Sequence, residues 1–218
     1  MESTLKNMVL TLFVITLVAS TAVGFVYKVT EGPIAVSEAA KTTNALAQVL
    51  PSFDNDPSAE RQEMEQEGLP VIIYTAKSGD QIVGYAVETR TSKGFGGEIV
   101  LMVGFKPDGE IVKIETLKHS ETPGLGDKID SKKSNFSVQF SGKNPADFKL
   151  AVKKDGGDVD AITASTISSR AFSDAVLRGY NALMTLTGGQ VNSVSGATSA
   201  AAAPANESDD AQKGGENE

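Results

Sequence analysis

Hydroxyl-bearing and small side chains crowd the stretch Asp160-Ala161-Ile162-Thr163-Ala164-Ser165-Thr166-Ile167-Ser168-Ser169, immediately ahead of a segment with helical apolar spacing. The first backbone N–H groups of a helix have no intrahelical partner and carry the positive end of its dipole, so such a junction can receive an anion, phosphate above all. An ordinary Ser/Thr cap with no ligand is the competing reading. A second segment, His119-Ser120-Glu121-Thr122-Pro123-Gly124-Leu125-Gly126, turns sharply at Pro123-Gly124 and can lay backbone groups and Leu125 against a flat ligand. A plain surface loop would look the same. Gly94-Phe95-Gly96-Gly97 is too short for a dinucleotide fingerprint and precedes a strand pattern, not a helix.

The chain has no cysteine among its 218 residues, and its single histidine is His119. Disulfides, thiolate metal sites, iron–sulfur ligation and thiol nucleophiles are thereby excluded, as are metal or haem sites built from several histidines. Redox chemistry must use an organic cofactor or oxygen and nitrogen ligands. His119, as an imidazole, has the chemistry of a proton carrier, although a strand-end histidine more often makes a structural or solvent contact. There are 20 Lys and Arg against 28 Asp and Glu, and no stretch gathers the cations into a phosphate-tracking stripe. Nucleic acid is not an expected partner.

The elements that must position these residues begin at a membrane. Residues 8–27, MVLTLFVITLVASTAVGFVY, carry no charge, and roughly 20 residues at about 1.5 Å each match a hydrocarbon core of about 30 Å. They read as a retained transmembrane anchor. A cleaved signal peptide would use Lys6 as its basic region and Ala19-Ser20-Thr21-Ala22 near its cleavage point, but the apolar run is longer than a signal core. Lys6 on one side and Lys28 on the other encode orientation weakly; a short cytoplasmic N-terminus with the body outside is the expected arrangement. Glu31-Gly32-Pro33 is expected to break the helix, followed by an alanine-rich helix over residues 34–50 and a polar connection over 52–68.

Strand patterns follow. Val71-Ile72-Ile73-Tyr74 and Ile82-Val83-Gly84-Tyr85-Ala86-Val87 flank Lys77-Ser78-Gly79-Asp80, while residues 99–105 and 111–117 flank Lys106-Pro107-Asp108-Gly109. This predicts two hairpins of an antiparallel sheet. Apolar residues at Ile167, Ala171, Phe172, Ala175, Val176, Tyr180 and Leu183 predict a helix that covers one sheet face and stops at Gly188-Gly189. The expected fold class is α+β. Residues 1–30 hold the N-terminal segment and transmembrane helix, 31–188 one domain of antiparallel sheet with covering helices, and 189–218 a disordered, acidic, low-complexity tail.

Taken together, these segments resemble the G-subunit family of Rnf ion-translocating electron-transport complexes, an FMN-binding domain family related to the C subunit of the Na+-translocating NADH:quinone reductase. The resemblance is carried by the anchor, Glu31-Gly32-Pro33-Ile34, Gly94-Phe95-Gly96-Gly97, Glu121-Thr122-Pro123-Gly124-Leu125-Gly126 and the run from Asp160 to Thr166, and it covers most of residues 8–185. It implies FMN attached covalently, its ribityl phosphate esterified by the hydroxyl of Thr166, the last residue of a signature Asp-x-x-Ser/Thr-Gly/Ala-small-Thr. It places Thr163 and Ser165 beside the phosphate, Asp160 in the motif read by a flavin transferase, and Glu121, Thr122, Leu125 and Gly126 around the isoalloxazine ring. Phe95 either stacks near the ring or packs in the core, and Glu121 either lines the pocket or only bonds the loop backbone. Ala164 and Ser165 stand where Gly-Ala is commoner in the family. Ser195-Gly196-Ala197-Thr198-Ser199 repeats the signature core, but Asn192 replaces its acidic residue and no helix pattern follows, so Thr166 is expected over Thr198.

The implied activity is that of a relay, inactive alone, within a translocase that couples electron transfer between ferredoxin and NAD to Na+ or H+ movement. Its partners would be the other members of the complex and the flavin transferase. The implied location is the inner (plasma) membrane, single-pass, with the flavin domain on the extracytoplasmic side, where a covalent tether prevents loss of the cofactor. One span cannot form an ion pathway and no nicotinamide fingerprint is visible, so those tasks fall to partners. A stand-alone membrane-tethered flavoprotein reductase and a non-redox anchored binding module remain as alternatives.

Overall fold

The computed structural model describes residues 5–189; the expected tail, including Thr198, lies outside the described residues. The chain divides into two units between Asn44 and Ala45. Most of the first unit belongs to α1 (Leu5–Val49), a helix of 45 residues whose exposed apolar window has a mean hydropathy of 2.4. Among the described residues it is the one helix long and apolar enough to cross a membrane. Its hydroxyls suit such a setting: Thr11, Thr16 and Thr21 each donate to the carbonyl four residues earlier at 2.7, 2.9 and 2.8 Å, so these side chains need no water.

The break expected at Glu31-Gly32-Pro33 does not occur, and Pro33 lies inside α1. Proline removes its own N–H and crowds the carbonyl four residues back, a cost confined to one turn. Beyond it, Ala35, Glu38, Ala39, Ala40 and Lys41 are strong helix formers, and continuing a helix costs less than nucleating a second one.

In the second unit β1 (Gln62–Gln66), β2 (Leu69–Ser78), β3 (Gln81–Thr91), β4 (Ile99–Phe105) and β5 (Ile111–Lys118) form one antiparallel sheet in the order β1-β2-β3-β4-β5. Both expected hairpins are present, with Ile73 opposite Val87 and Val103 opposite Ile114. β1 replaces part of the connection expected over residues 52–68. Its sequence Gln62-Glu63-Met64-Glu65-Gln66 lacks apolar alternation because it is an edge strand in which only Met64 and Gln66 are half-buried.

Strand alternation sends Val71, Ile73, Val87, Leu101 and Val103 to one face, where α2 (Thr166–Thr187) packs through Phe172, Ala175, Val176 and Leu183. Tyr74, Ala76, Ala86 and Met102 share the other cluster with Ala45, Leu46, Val49 and Leu50. With both faces covered, every residue of β4 is buried. Helix α2 stops where expected, at Gly188, whose φ of 76° suits glycine and whose N–H bonds the Met184 carbonyl.

The second cluster depends on a missing side chain, since a Cβ at Gly104 would overlap the Val49 carbonyl. Gly104→Ala is expected to destabilise the domain by about 1–3 kcal/mol through overpacking. A lower thermal midpoint of the detergent-solubilised chain would show it; an unchanged midpoint would mean that this backbone gives way freely.

Candidate functional site

A cavity of about 280 Å³ opens at the N-terminus of α2, where the segments singled out by their chemistry converge. Phe95, Glu121, Thr122, Leu125, Gly126, Ser165 and Thr166 are all in its wall. Asp160 and Thr163 are not: Thr163 is exposed, and the Asp160 carboxylate pairs with Lys153 at 2.7 Å on the surface. Ala164, Ile167 and Ser168 complete the wall. Ile167 and Ser168 belong to the hydroxyl-rich run of the sequence, and their position in the first turn after Thr166 brings them into the wall.

Glu121 fastens the walls together. Its buried carboxylate accepts from the Gly96 N–H at 3.2 Å and from the Ser168 hydroxyl at 2.6 Å, joining the Gly94–Gly97 loop and the first turn of α2 to its own loop. A Cβ at Gly126 would overlap the Glu121 carboxylate and lie 2.6 Å from Ser168 Oγ, so this glycine makes room for protein groups rather than for a ligand. His119 Nδ1 accepts from the Glu121 N–H at 3.2 Å, the structural contact expected of a strand-end histidine.

The hydroxyl cluster is not a conventional cap. Ser165 occupies the N-cap position of α2 but makes no side-chain capping hydrogen bond. Ser168 Oγ is spent on Glu121, and Ser169 Oγ donates to the Ser165 carbonyl at 3.0 Å. Among the described residues the half-buried Thr166 hydroxyl has no hydrogen-bond partner. No described residue competes for it, and it lines the cavity beside backbone N–H groups that no side-chain cap satisfies.

Ala164, before this helix, has φ of 60°, a left-handed conformation that disfavours any Cβ. Glycine there would relieve strain at some entropic cost in the unfolded chain, so Ala164→Gly is expected to stabilise the domain by roughly 0.5–1 kcal/mol. The check is a raised thermal midpoint; a lowered one would show that the surroundings favour the alanine methyl.

Among the described residues no lysine or arginine is in the wall, and Glu121 is its one charged residue. Phe95 and Leu125 are 63% and 42% exposed, giving the cavity an apolar rim. Its volume falls just below the ~300–1,000 Å³ of pockets that enclose drug-sized ligands. The arrangement therefore suits part of a flat aromatic ligand, with one edge left outside and an anionic group at the helix N-terminus.

Residues 94–181, which include the whole cavity wall, match the FMN-binding domain family. The chain is 36% identical to the G subunit of the ion-translocating oxidoreductase complex of Shewanella amazonensis over 172 residues, 74% of this chain and 80% of that protein. It is 36% identical to the G subunit of the Yersinia pestis complex over 195 residues, 85% of this chain and 93% of that one. A shorter stretch of 110 residues is 46% identical to the G subunit from Shewanella baltica, covering 49% of this chain and 52% of that one. With relatives matched along most of their length and the FMN-binding segment coinciding with the cavity, the chain belongs to the G-subunit family of ion-translocating oxidoreductase complexes.

Proposed function

We propose that this chain carries FMN as a phosphoester on Thr166 and acts as an electron relay within its complex, which couples electron transfer between ferredoxin and NAD to Na+ or H+ translocation. The observation that carries the reading is a threonine hydroxyl with no partner among the described residues, in the wall of a cavity at a helix N-terminus that has no side-chain cap. Charge supports a diester in particular. A phosphate monoester carries about −1.5 to −2 at neutral pH and calls for a cation, whereas a diester carries a single negative charge. The wall provides no Lys or Arg, and the helix end supplies the equivalent of roughly half a positive charge.

When bound, FMN supplies one- or two-electron chemistry. The chain's own residues hold and orient it: Thr166 bears the phosphate, Leu125 and Phe95 flank the ring, and Glu121 locks the walls. Thr163 and Asp160, outside the cavity wall, belong to the segment that the flavin transferase reads. The exposed rim leaves a ring edge open to a redox partner, as a relay requires. α1 anchors the chain in the inner membrane, with the flavin domain on the extracytoplasmic side and the ion pathway in other members of the complex. The test is intact mass of the full chain isolated from its native membrane. It is expected to exceed the unmodified mass by one FMN less one water, and an unmodified mass would overturn the proposal.

A further inference from the structure

We propose that Gln139 is a positioning residue for cofactor attachment, holding the acceptor loop ahead of Thr166 in the shape that the flavin transferase engages. This rests on the reading of Thr166 as the attachment site. Gln139 does not line the cavity. Its side-chain amide pairs in both directions with the Asp160 backbone: Oε1 accepts from the Asp160 N–H at 2.7 Å, and Nε2 donates to the Asp160 carbonyl at 3.1 Å. Nε2 also donates to the Phe136 carbonyl at 3.0 Å, which fixes the amide's orientation.

The platform beneath Gln139 is rigid. It belongs to the 3-10 turn Phe136–Phe140, whose buried end residues both pack on Phe172 of α2 with ring centroids 5.2 Å apart. The loop it holds is exposed, and its Asp160 side chain pairs with Lys153 at 2.7 Å on the surface while Gln139 takes both backbone groups of the same residue. The backbone is tied at Val159 to Ala151 at 3.0 Å, and is caught again where the Ile162 N–H donates to Ser169 Oγ at 2.9 Å. Asp160 lies between these ties, followed by exposed Ala161, Thr163 and Ala164, the last in its left-handed conformation. The turn at Ala164 is closed by the Ser165 N–H, which donates to the Ile162 carbonyl at 3.0 Å, and Gln139 fixes the backbone at Asp160, where the chain enters this turn, from 21 residues away.

Attachment needs this geometry. Thr166 Oγ forms a bond to the flavin-side phosphorus of a flavin dinucleotide. The pyrophosphate P–O bond breaks, the nucleoside monophosphate leaves, and the hydroxyl proton is released; no electrons are transferred. A displacement of the acceptor by about 1 Å is enough to slow such a transfer by up to 10²-fold.

The experiment presents the full-length chain in detergent to purified flavin transferase with flavin adenine dinucleotide, and follows denaturation-resistant fluorescence against acceptor concentration. Hydrogen exchange at the Asp160 amide and thermal melting are measured in parallel. Gln139→Ala is expected to lower the incorporation rate by about tenfold or more. It should also speed exchange at Asp160 while leaving the melting midpoint within a few degrees. Gln139→Glu keeps the acceptor for the Asp160 N–H but loses the donor to its carbonyl, and is expected to fall between. It also decides the matter if the alanine variant does not fold: a Glu variant working at the wild-type rate would overturn the proposal. So would equal rates for Gln139→Ala and wild type. A wild-type chain that takes no flavin would overturn the reading of Thr166 instead.

Discussion

Thr166→Ala is expected to abolish denaturation-resistant flavin on the chain while leaving the domain folded. Thr166 is half-buried at the first position of α2, and among the described residues its hydroxyl bonds nothing, so truncation orphans no partner. Alanine is also the better helix former, and the stability change should stay within about 0.5 kcal/mol. Thr166→Ser retains the attacking oxygen and should still accept flavin. Ser168→Ala makes a useful contrast. It removes the 2.6 Å bond to the buried Glu121 carboxylate, so it should cost about 1–3 kcal/mol yet keep covalent flavin. In-gel fluorescence after denaturation reads all three variants. Retained fluorescence in Thr166→Ala would overturn the assignment, and mapping the fluorescent peptide would then test Thr198.

The parts of this fold legible in the sequence are those written in runs and spacings of apolar side chains. Continuous apolar runs over Ile82 to Val87 and over β4, with turn residues between strands, encode the hairpins, and the stripe from Ile167 to Leu183 encodes α2. Convergence of Phe95, the Glu121–Gly126 loop and Thr166 on one cavity was reachable only through the family resemblance, since no local pattern says that segments so far apart meet. What escaped depends on context. Pro33 reads as a break because its local cost is plain, while the helix-forming strength on both sides is spread over many residues. β1 is polar because an edge strand has little to bury. Gln139 looks like any surface glutamine, its two bonds to Asp160 being made across 21 residues. The Ser/Thr run looks like a cap, and only the folded geometry reveals that Ser168 and Ser169 are committed elsewhere while Thr166 is not.

Position 174 carries the other large expected effect. Asp174 and Arg178, four residues apart on α2, form a buried ion pair, their side chains only 5% and 3% exposed and 3.0 Å apart. Asp174 also accepts from the Thr91 hydroxyl at 2.7 Å and from Lys93 Nζ at 2.8 Å. Burial pushes its carboxyl up, but the hydrogen bonds from Lys93 and Thr91, with Arg178 alongside, outweigh that and hold it below its ordinary value of 3.8. Asp174→Leu would leave Arg178 buried with the Arg90 carbonyl and Glu67 but without its buried counter-ion, a loss of about 3–5 kcal/mol. For a domain of this size that lowers the thermal midpoint by roughly 10 °C.

The pH dependence gives a sharper reading. A depressed carboxyl contributes stability that is present above its unfolded pKa and lost as pH falls through the folded one. Asp174→Asn removes the titration, so the gap in midpoint between wild type and variant should be full at neutral pH and close progressively below about pH 4. A gap that stays constant into acid would show that the ionised form is not what stabilises. The consequence reaches the cavity, because Lys93 leads directly into Gly94-Phe95-Gly96-Gly97. α2 therefore presents Thr166 at its first residue while pinning, through Asp174 further along the same helix, the strand end from which the Phe95 wall departs. Loosening that pin should open the flavin environment without touching the attachment oxygen, so the Asp174 variants are expected to keep covalent flavin but with its absorption altered toward that of a solvent-exposed ring.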